Sequence, residues 1–78
     1  MICRYNGFFI DVRALELRGG IGWIFQLDVE RHDGSGVTVW PIYLRKIFVT
    51  SSDAIKAALI CARRSIDSGL SGLTAINE

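Results

Sequence analysis

The sequence contains little of what most catalytic and metal sites are built from. Its 78 residues include one histidine, two cysteines and one proline. A zinc site, or a general base held by partners, needs more ligands than one histidine supplies. Cys3 and Cys61 are too few and too far apart for a disulfide framework, so we expect two reduced thiols. We therefore predict no metal, no cofactor and no enzymatic activity.

An excess of charge of one sign and long apolar runs are also missing. Nine Lys and Arg residues oppose eight Asp and Glu residues, and the net charge is +1. No field of one sign steers the chain toward nucleic acid or anionic lipid. No segment approaches the roughly 18 apolar residues that span a membrane, and residues 1–7 lack the apolar run of a signal peptide. These absences predict a cytoplasmic protein without a membrane contact.

The chain does have a high apolar content and one change of period. Hydrophobic residues make up 50% of it, enough for the core of one small domain. From Phe8 to about Val49 the apolar residues mostly alternate, whereas from Asp53 to Ser68 they recur every three or four residues. This pattern predicts an α+β fold, an antiparallel three- to four-stranded meander sheet with one C-terminal helix packed on one face.

Three segments alternate clearly enough to be strands. The first starts at Phe8, and its apolar parity flips at 14–15, which predicts a one-residue bulge. The second runs from Trp23 to Glu30. The third begins at Val37, after the hairpin signal Asp33-Gly34.

The end of the third strand is ambiguous in the sequence. Pro41 has no backbone N–H, so this strand lies on a sheet edge or breaks there. Residues 42–49 then fit either the continuation of one bent strand or a second short strand.

Both helix boundaries carry recognisable signals. Residues 50–53 supply capping oxygens and an early carboxylate, and Gly69 suits the position after the last turn. We predict one βββα domain over residues 1–69 and a mobile tail over 70–78, docked at most through its leucines. The predicted core is Phe8, Ile10, Val12, Trp23, Phe25, Leu27, Val29, Val37, Val39, Ile55, Leu59, Ala62 and Ile66, with Ala54 and Ala58 flanking the helical stripe.

One helix covers one face of a sheet, so the other face must meet water or a partner. The alternation favours an uncovered position for Phe9, Ile24 and Trp40, and Ile60 falls outside the helical stripe. Exposed large apolar residues that share a surface mark partner contacts. The leading hypothesis is a non-enzymatic protein-interaction module, with a homodimer through the open sheet face or an edge strand as one form.

Nucleic-acid binding is the alternative. Small sheets bind single strands by stacking bases on exposed aromatic rings, here Phe9 and Trp40, while basic side chains contact the backbone. The candidate backbone contacts are Arg13, Arg45 and Lys46. The near-zero net charge and the lack of a recognisable aromatic motif count against this alternative.

An acidic stretch beside the histidine is the remaining catalytic candidate. Asp28, Glu30 and Asp33 surround His32 in sequence, and paired carboxylates act as acid and base when burial separates their pKa values. Alternate positions on a strand more simply form a solvated outer face. We interpret the carboxylates as that face and His32 as a solvated hairpin residue.

The order of these pieces has a counterpart among known proteins. The matching pieces are Tyr5-Asn6-Gly7-Phe8 with Phe9-Ile10 behind it, Trp23 at the start of a strand, and the segment from Phe48 to Ala58. In these the chain resembles small uncharacterised bacterial proteins that read as strand–strand–strand–helix. The resemblance covers most of the chain before the tail and implies the same fold. Those proteins carry no activity to transfer, so no functional residue follows from it.

Overall fold

The computed structural model describes residues 1–77 as an antiparallel sheet with one helix on one of its faces. The sheet order follows the chain, β1-β2-β3-β4-β5, and every neighbouring pair is antiparallel. The predicted α+β meander with one helix across one face is confirmed. The elements are β1 (Ile2–Tyr5), β2 (Phe8–Glu16), β3 (Trp23–Asp33), β4 (Gly36–Ile42), α1 (Ser51–Asp67) and β5 (Ile76–Asn77).

The turn before the first predicted strand is a hairpin turn. Asn6 and Gly7 both have positive φ angles, 48° and 84°, and the pair that they connect is Tyr5 with Phe8. Asn-Gly is the favoured pair for this two-residue turn because it needs two such residues in succession. A strand, β1, therefore precedes the turn. The sequence analysis missed it because four residues are too few for a clear alternation.

The pairing of β2 with β3 is continuous to the end of β2. Ala14 lies opposite Phe25 and Leu15 opposite Ile24, without an inserted residue. The predicted bulge is wrong. The change of apolar parity has another cause: Leu15 lies on the face of the sheet away from the helix, where it is 44% exposed.

The chain after β4 returns once to β3. β4 ends at Ile42, residues 43–47 have no regular structure, and Phe48 then forms an isolated bridge with Trp23. The two residues exchange both backbone hydrogen bonds, at 2.7 and 2.8 Å. The ambiguity left by the sequence is thus resolved as one strand followed by a single bridge.

Pro41 lies where the sheet has an edge. β5 pairs with β4 only at Thr38 and Val39, so it does not extend as far as Pro41. The missing N–H of proline is tolerated at such a position. Of the two alternatives, β4 does not break at Pro41, because it continues to Ile42; it lies between β3 and β5 and has a free edge only locally, beyond the end of β5.

Both predicted ends of α1 form the expected caps. The Thr50 hydroxyl accepts a hydrogen bond from the Asp53 N–H at 3.1 Å. Gly69 has a φ angle of 77°, and the Leu70 N–H donates to the Ser65 carbonyl at 2.7 Å, which is the main bond of a Schellman cap. The cap turns Leu70 into the core, where it is 8% exposed.

The core lies between α1 and the sheet. The centre of the helix face is a row of alanines, because small side chains let the helix approach the sheet closely. Ile55 and Leu59, predicted to lie at that centre, are half-buried beside it. The buried apolar side chains are Ile10, Val12, Phe25, Leu27, Val29, Ile42, Ala54, Ala58, Ala62, Ile66 and Leu70.

The orientation of β4 differs from the prediction. Trp40 lies opposite Val29, and directly paired residues of an antiparallel sheet share a face. Trp40 therefore lies on the helix side, with its ring centroid 5.9 Å from that of Phe8, while Val37 and Val39 lie on the other side. The predicted core positions of Val37 and Val39, and the predicted open position of Trp40, are wrong. The tight β3–β4 turn sets this parity.

The segment after the helix packs against the domain. Leu70 is buried and Leu73 packs against the core half-buried, so the predicted docking through the two leucines is found. Ile76 then joins the sheet edge as part of β5, a strand that was not predicted. The mobility of residues 70–78 stays a prediction, and Glu78 lies outside the residues described.

Candidate interaction surface

The side of the sheet opposite α1 is called the open face here. No element within residues 1–77 is stacked on it, because α1 packs on the other side of β2 and β3. The strand pairings assign its side chains: Ile2, Arg4, Phe9, Asp11, Arg13, Leu15, Ile24, Gln26, Asp28, Glu30, His32, Val37, Val39, Pro41 and Ile76.

The middle of the open face is polar and sorted into two rows. Asp11 lies directly opposite Asp28, and one step along the strands Arg13 lies directly opposite Gln26. The four side chains line a shallow hollow of about 130 Å³. We call Asp11 and Asp28 the carboxylate row, and Arg13 and Gln26 the donor row. The two carboxylates of the carboxylate row are cross-strand neighbours, and the donor row lies beside them in the same hollow.

One end of the open face is apolar. Leu15 pairs with Ile24 across β2 and β3, and Ile47 stands beside them because Phe48 is bridged to Trp23. Ile47 Cγ2 occupies the space that a Cβ on Gly22 would need. Leu15 is 44% and Ile47 55% exposed. We call Leu15, Ile24 and Ile47 the apolar row.

The other end of the open face is centred on Phe9. The His32 ring lies edge-on to it, with 4.8 Å between centroids, and the Arg4 guanidinium lies 5.2 Å from its centroid. His32 Nε2 and Glu30 Oε1 are 3.0 Å apart. The His32 ring and the Arg4 guanidinium thus hold the Phe9 side chain in place on the surface.

The histidine is part of a strand. The predicted hairpin loop around His32 is shorter than expected, because β3 runs to Asp33 and β4 begins at Gly36. Glu30 and His32 do meet, but Cys61 lies on α1, on the other side of the sheet. His32 and Cys61 therefore lie on different sides of the sheet.

A groove extends the open face at its β4–β5 edge. It has a volume of about 430 Å³, and Tyr43 in its wall is 86% exposed. Two of its residues, Pro41 and Ile76, also belong to the open face, so the two surfaces are continuous. The groove is lined by Pro41, Tyr43, Gly72, Leu73, Thr74 and Ile76.

The predicted interaction residues are divided between three places. Phe9 and Ile24 lie on the open face, as expected. Trp40 is half-buried on the helix side, and Ile60 is 48% exposed on the outer side of α1. Sequence reasoning missed Leu15, although its break in parity was a visible signal of exposure.

The predicted nucleic-acid contacts do not share one surface element. Arg13 lies in the middle of the open face, whereas Arg45 and Lys46 lie in the 43–47 segment, with Lys46 Nζ 5.3 Å from the centroid of Phe48. The open face carries three carboxylates and two guanidinium groups. That charge balance does not attract phosphate.

The two thiols lie on different flanks of α1. Arg63 and Asp67 contact Tyr5 of β1, the strand that carries Cys3. Cys61 lies about 120° or more around the helix axis from those two residues, so it faces away from β1. Within residues 1–77 no cluster of three or more His, Cys, Asp or Glu side chains could hold a metal ion. The same part of the chain has no helix long and apolar enough to span a membrane.

Two hydrogen-bonded groups have shifted pKa values. The Tyr5 hydroxyl donates to both Asp67 carboxylate oxygens, at 2.9 and 3.0 Å, and this raises the pKa of Tyr5. The Ser35 hydroxyl and N–H both donate to Asp33 Oδ1, which lowers the pKa of Asp33. The first contact links β1 to the end of α1 and the second stabilises the β3–β4 turn, so both are structural.

No protein family, curated protein or solved structure matches this chain. The resemblance to small bacterial strand–strand–strand–helix proteins stays a prediction.

Proposed function

We propose that this protein is a small non-enzymatic interaction module that binds a protein chain through the open face. The observation that carries the proposal is the exposure of large apolar side chains at both ends of a sheet face that α1 leaves uncovered. Leu15, Ile47 and Ile76 are 44%, 55% and 50% exposed. Phe9, at the end opposite Leu15 and Ile47, is held in place by His32 and Arg4. Grouped exposure of this kind is typical of protein contact surfaces.

The charge pattern favours a protein partner over a nucleic acid. Carboxylates in the middle of the surface would face phosphates, whereas a protein can offer cations and amide donors there. The stacking hypothesis also relied on Trp40, which lies on the helix side of the sheet. Nucleic-acid binding through Arg13, Arg45 and Lys46 therefore has less support and stays the alternative.

Photo-crosslinking tests the proposal directly. We would place p-benzoylphenylalanine at Leu15, on the open face, and separately at Lys56, an exposed residue on the outer side of α1, in cells that make the protein. We expect covalent protein adducts from position 15 and few from position 56. Adducts from position 56 alone, or from neither position, would show that the open face is not the contact surface.

A further inference from the structure

We propose that the partner is a second copy of this chain, stacked on the open face with its strands running in the opposite direction. The inference rests on the proposed function, because it names the partner of the same surface. Each copy uses the same patch, so the dimer has one two-fold axis. This axis lies between the two sheets, at right angles to the strands and midway between the donor row and the carboxylate row.

The two polar rows are matched by this rotation. It places the donor row of each copy over the carboxylate row of the other. On the β2 strands Arg13 then faces Asp11 of the second copy, and on the β3 strands Gln26 faces Asp28 of the second copy. Every carboxylate of the polar middle meets a cation or an amide donor, and each such contact occurs twice.

The rotation also brings the two ends of the face together. Leu15 lies as far from the midpoint on one side as Phe9 lies on the other, so on the β2 strands each Leu15 stacks on Phe9 of the second copy. On the β3 strands Ile24 lies over Glu30 of the second copy, so the apolar match at the ends is confined to β2. A two-fold axis parallel to the strands would instead place carboxylate row on carboxylate row. Like-charge contacts of that kind are strongly unfavourable, which decides between the two arrangements.

The open face has about the size that a stable dimer needs. β3 has 11 residues and is therefore about 36 Å long, and five strands about 4.8 Å apart make the sheet roughly 20 Å wide. A standard interface buries about 800 Å² on each partner, so the dimer would use nearly the whole face.

Charge reversal tests the pairing. Analytical ultracentrifugation measures the self-association of the wild-type chain, Arg13→Asp and Asp11→Arg. Protein concentrations from about 1 µM to about 1 mM cover both stable and weak dimers. We expect the wild type to dimerise and each variant alone to dissociate with at least about 100-fold weaker affinity, because each places like charges in contact twice. An equimolar mixture restores the dimer, since Asp at position 13 then faces Arg at position 11. Lys56→Glu, on the outer side of α1, leaves the affinity unchanged.

Each other outcome overturns the proposal. A wild type that stays monomeric has no self-complementary face, and a dimer insensitive to both variants uses another surface. Variants that dissociate but do not recombine contact the second copy in a different arrangement. Circular dichroism checks that each variant is folded. If a reversed charge unfolds the chain, the neutral substitutions Arg13→Gln and Asp11→Asn replace the two charge reversals. In the photo-crosslinking experiment, adducts from position 15 to a different protein would support the proposed function and refute a second copy as the partner. An absence of adducts from position 15 would refute the proposed function and the dimer together.

Discussion

The two faces of the sheet are built from alternating residues of the same strands, and they differ in almost every physical property. Ile10 and Val12 on the helix side are 1% and 0% exposed, while Asp11 between them is only half-buried and lies in a polar hollow. β3 shows the same contrast between Leu27 or Val29 and Asp28. Within residues 1–76 no polar or charged side chain is buried, so the charged groups of these strands lie on the open face and at the margins of the sheet.

This contrast teaches that the fold and the recognition surface are separable in this chain. The helix side supplies the stability, because apolar area is removed from water there. The open face can carry charges in a defined order because it does not have to hold the sheet to the helix. Substitutions on the two faces should accordingly have different consequences.

The largest expected effect comes from the helix side. Leu27→Ala leaves a cavity at a residue that is 2% exposed, and we expect the free energy of unfolding to fall by about 2–5 kcal/mol. Leu15→Ala on the open face is the matched control, with an expected change within about 0.5 kcal/mol at concentrations where the chain is monomeric. Urea denaturation followed by circular dichroism measures both. Equal losses would show that the two faces do not differ in their contribution to folding.

A smaller loss of stability is expected at Gly22, where the segment after β4 packs against the end of the open face. Gly22 has a φ angle of 143°, and a Cβ there would lie 2.8 Å from the Phe48 carbonyl oxygen. Backbone strain and the clash together should cost about 2–4 kcal/mol in Gly22→Ala. Gly20 also has a positive φ angle, 66°, but nothing lies within 4 Å of its Cβ position, so Gly20→Ala should cost only about 1 kcal/mol. A thermal melt that ranks Gly20→Ala as the more damaging change would contradict the close approach of Phe48.

The smallest effect is a titration at the margin of the helix side. Tyr5 donates to Asp67, so its neutral form is favoured in the folded state and its pKa lies above the ordinary value of 10.0. The stabilisation that comes with it is complete below pH 10 and is lost as the pH rises through the raised pKa. In the Tyr43→Phe background Tyr5 is the remaining tyrosine, and its absorbance at about 295 nm reports ionisation.

The control for this titration is Asp67→Asn. Asn weakens the hydrogen bond that the Tyr5 hydroxyl donates to the carboxylate and removes the negative charge beside the phenolate, so the Tyr5 midpoint should move down toward 10.0. A midpoint that does not respond to Asp67→Asn would show that the link between β1 and the end of α1 is absent in solution.

The parts of the fold that were predicted correctly depend on local patterns. Strands β2 and β3 alternate over many residues, and the Thr50 and Gly69 caps are signals that need no information from elsewhere in the chain. The errors arose where distant pairing decides. β1 is too short to show a period, and Val37 and Val39 look like core residues until the turn sets which side of β4 faces the helix.

The candidate site was predictable only in outline. Phe9 and Ile24 lie on the open face because their strands alternate without a bulge. Trp40 was assigned to the wrong face of the sheet, because the β3–β4 turn decides which β4 residues lie on the helix side. The donor row and the carboxylate row were not predicted at all, because a row joins residues from two strands and exists only once the register is known.

By itself the sequence determined the alternation, the helix and its caps, and the scarcity of catalytic groups. These depend on side-chain periodicity and on local backbone preferences, which neighbouring residues set within a few positions. Only the tertiary structure decided the register that places Asp11 against Asp28, the contact of Ile47 with Gly22, and the side on which Trp40 lies. A shift of one residue in any strand pair would exchange its two faces, and the register that prevents this is set by turns and by packing against α1.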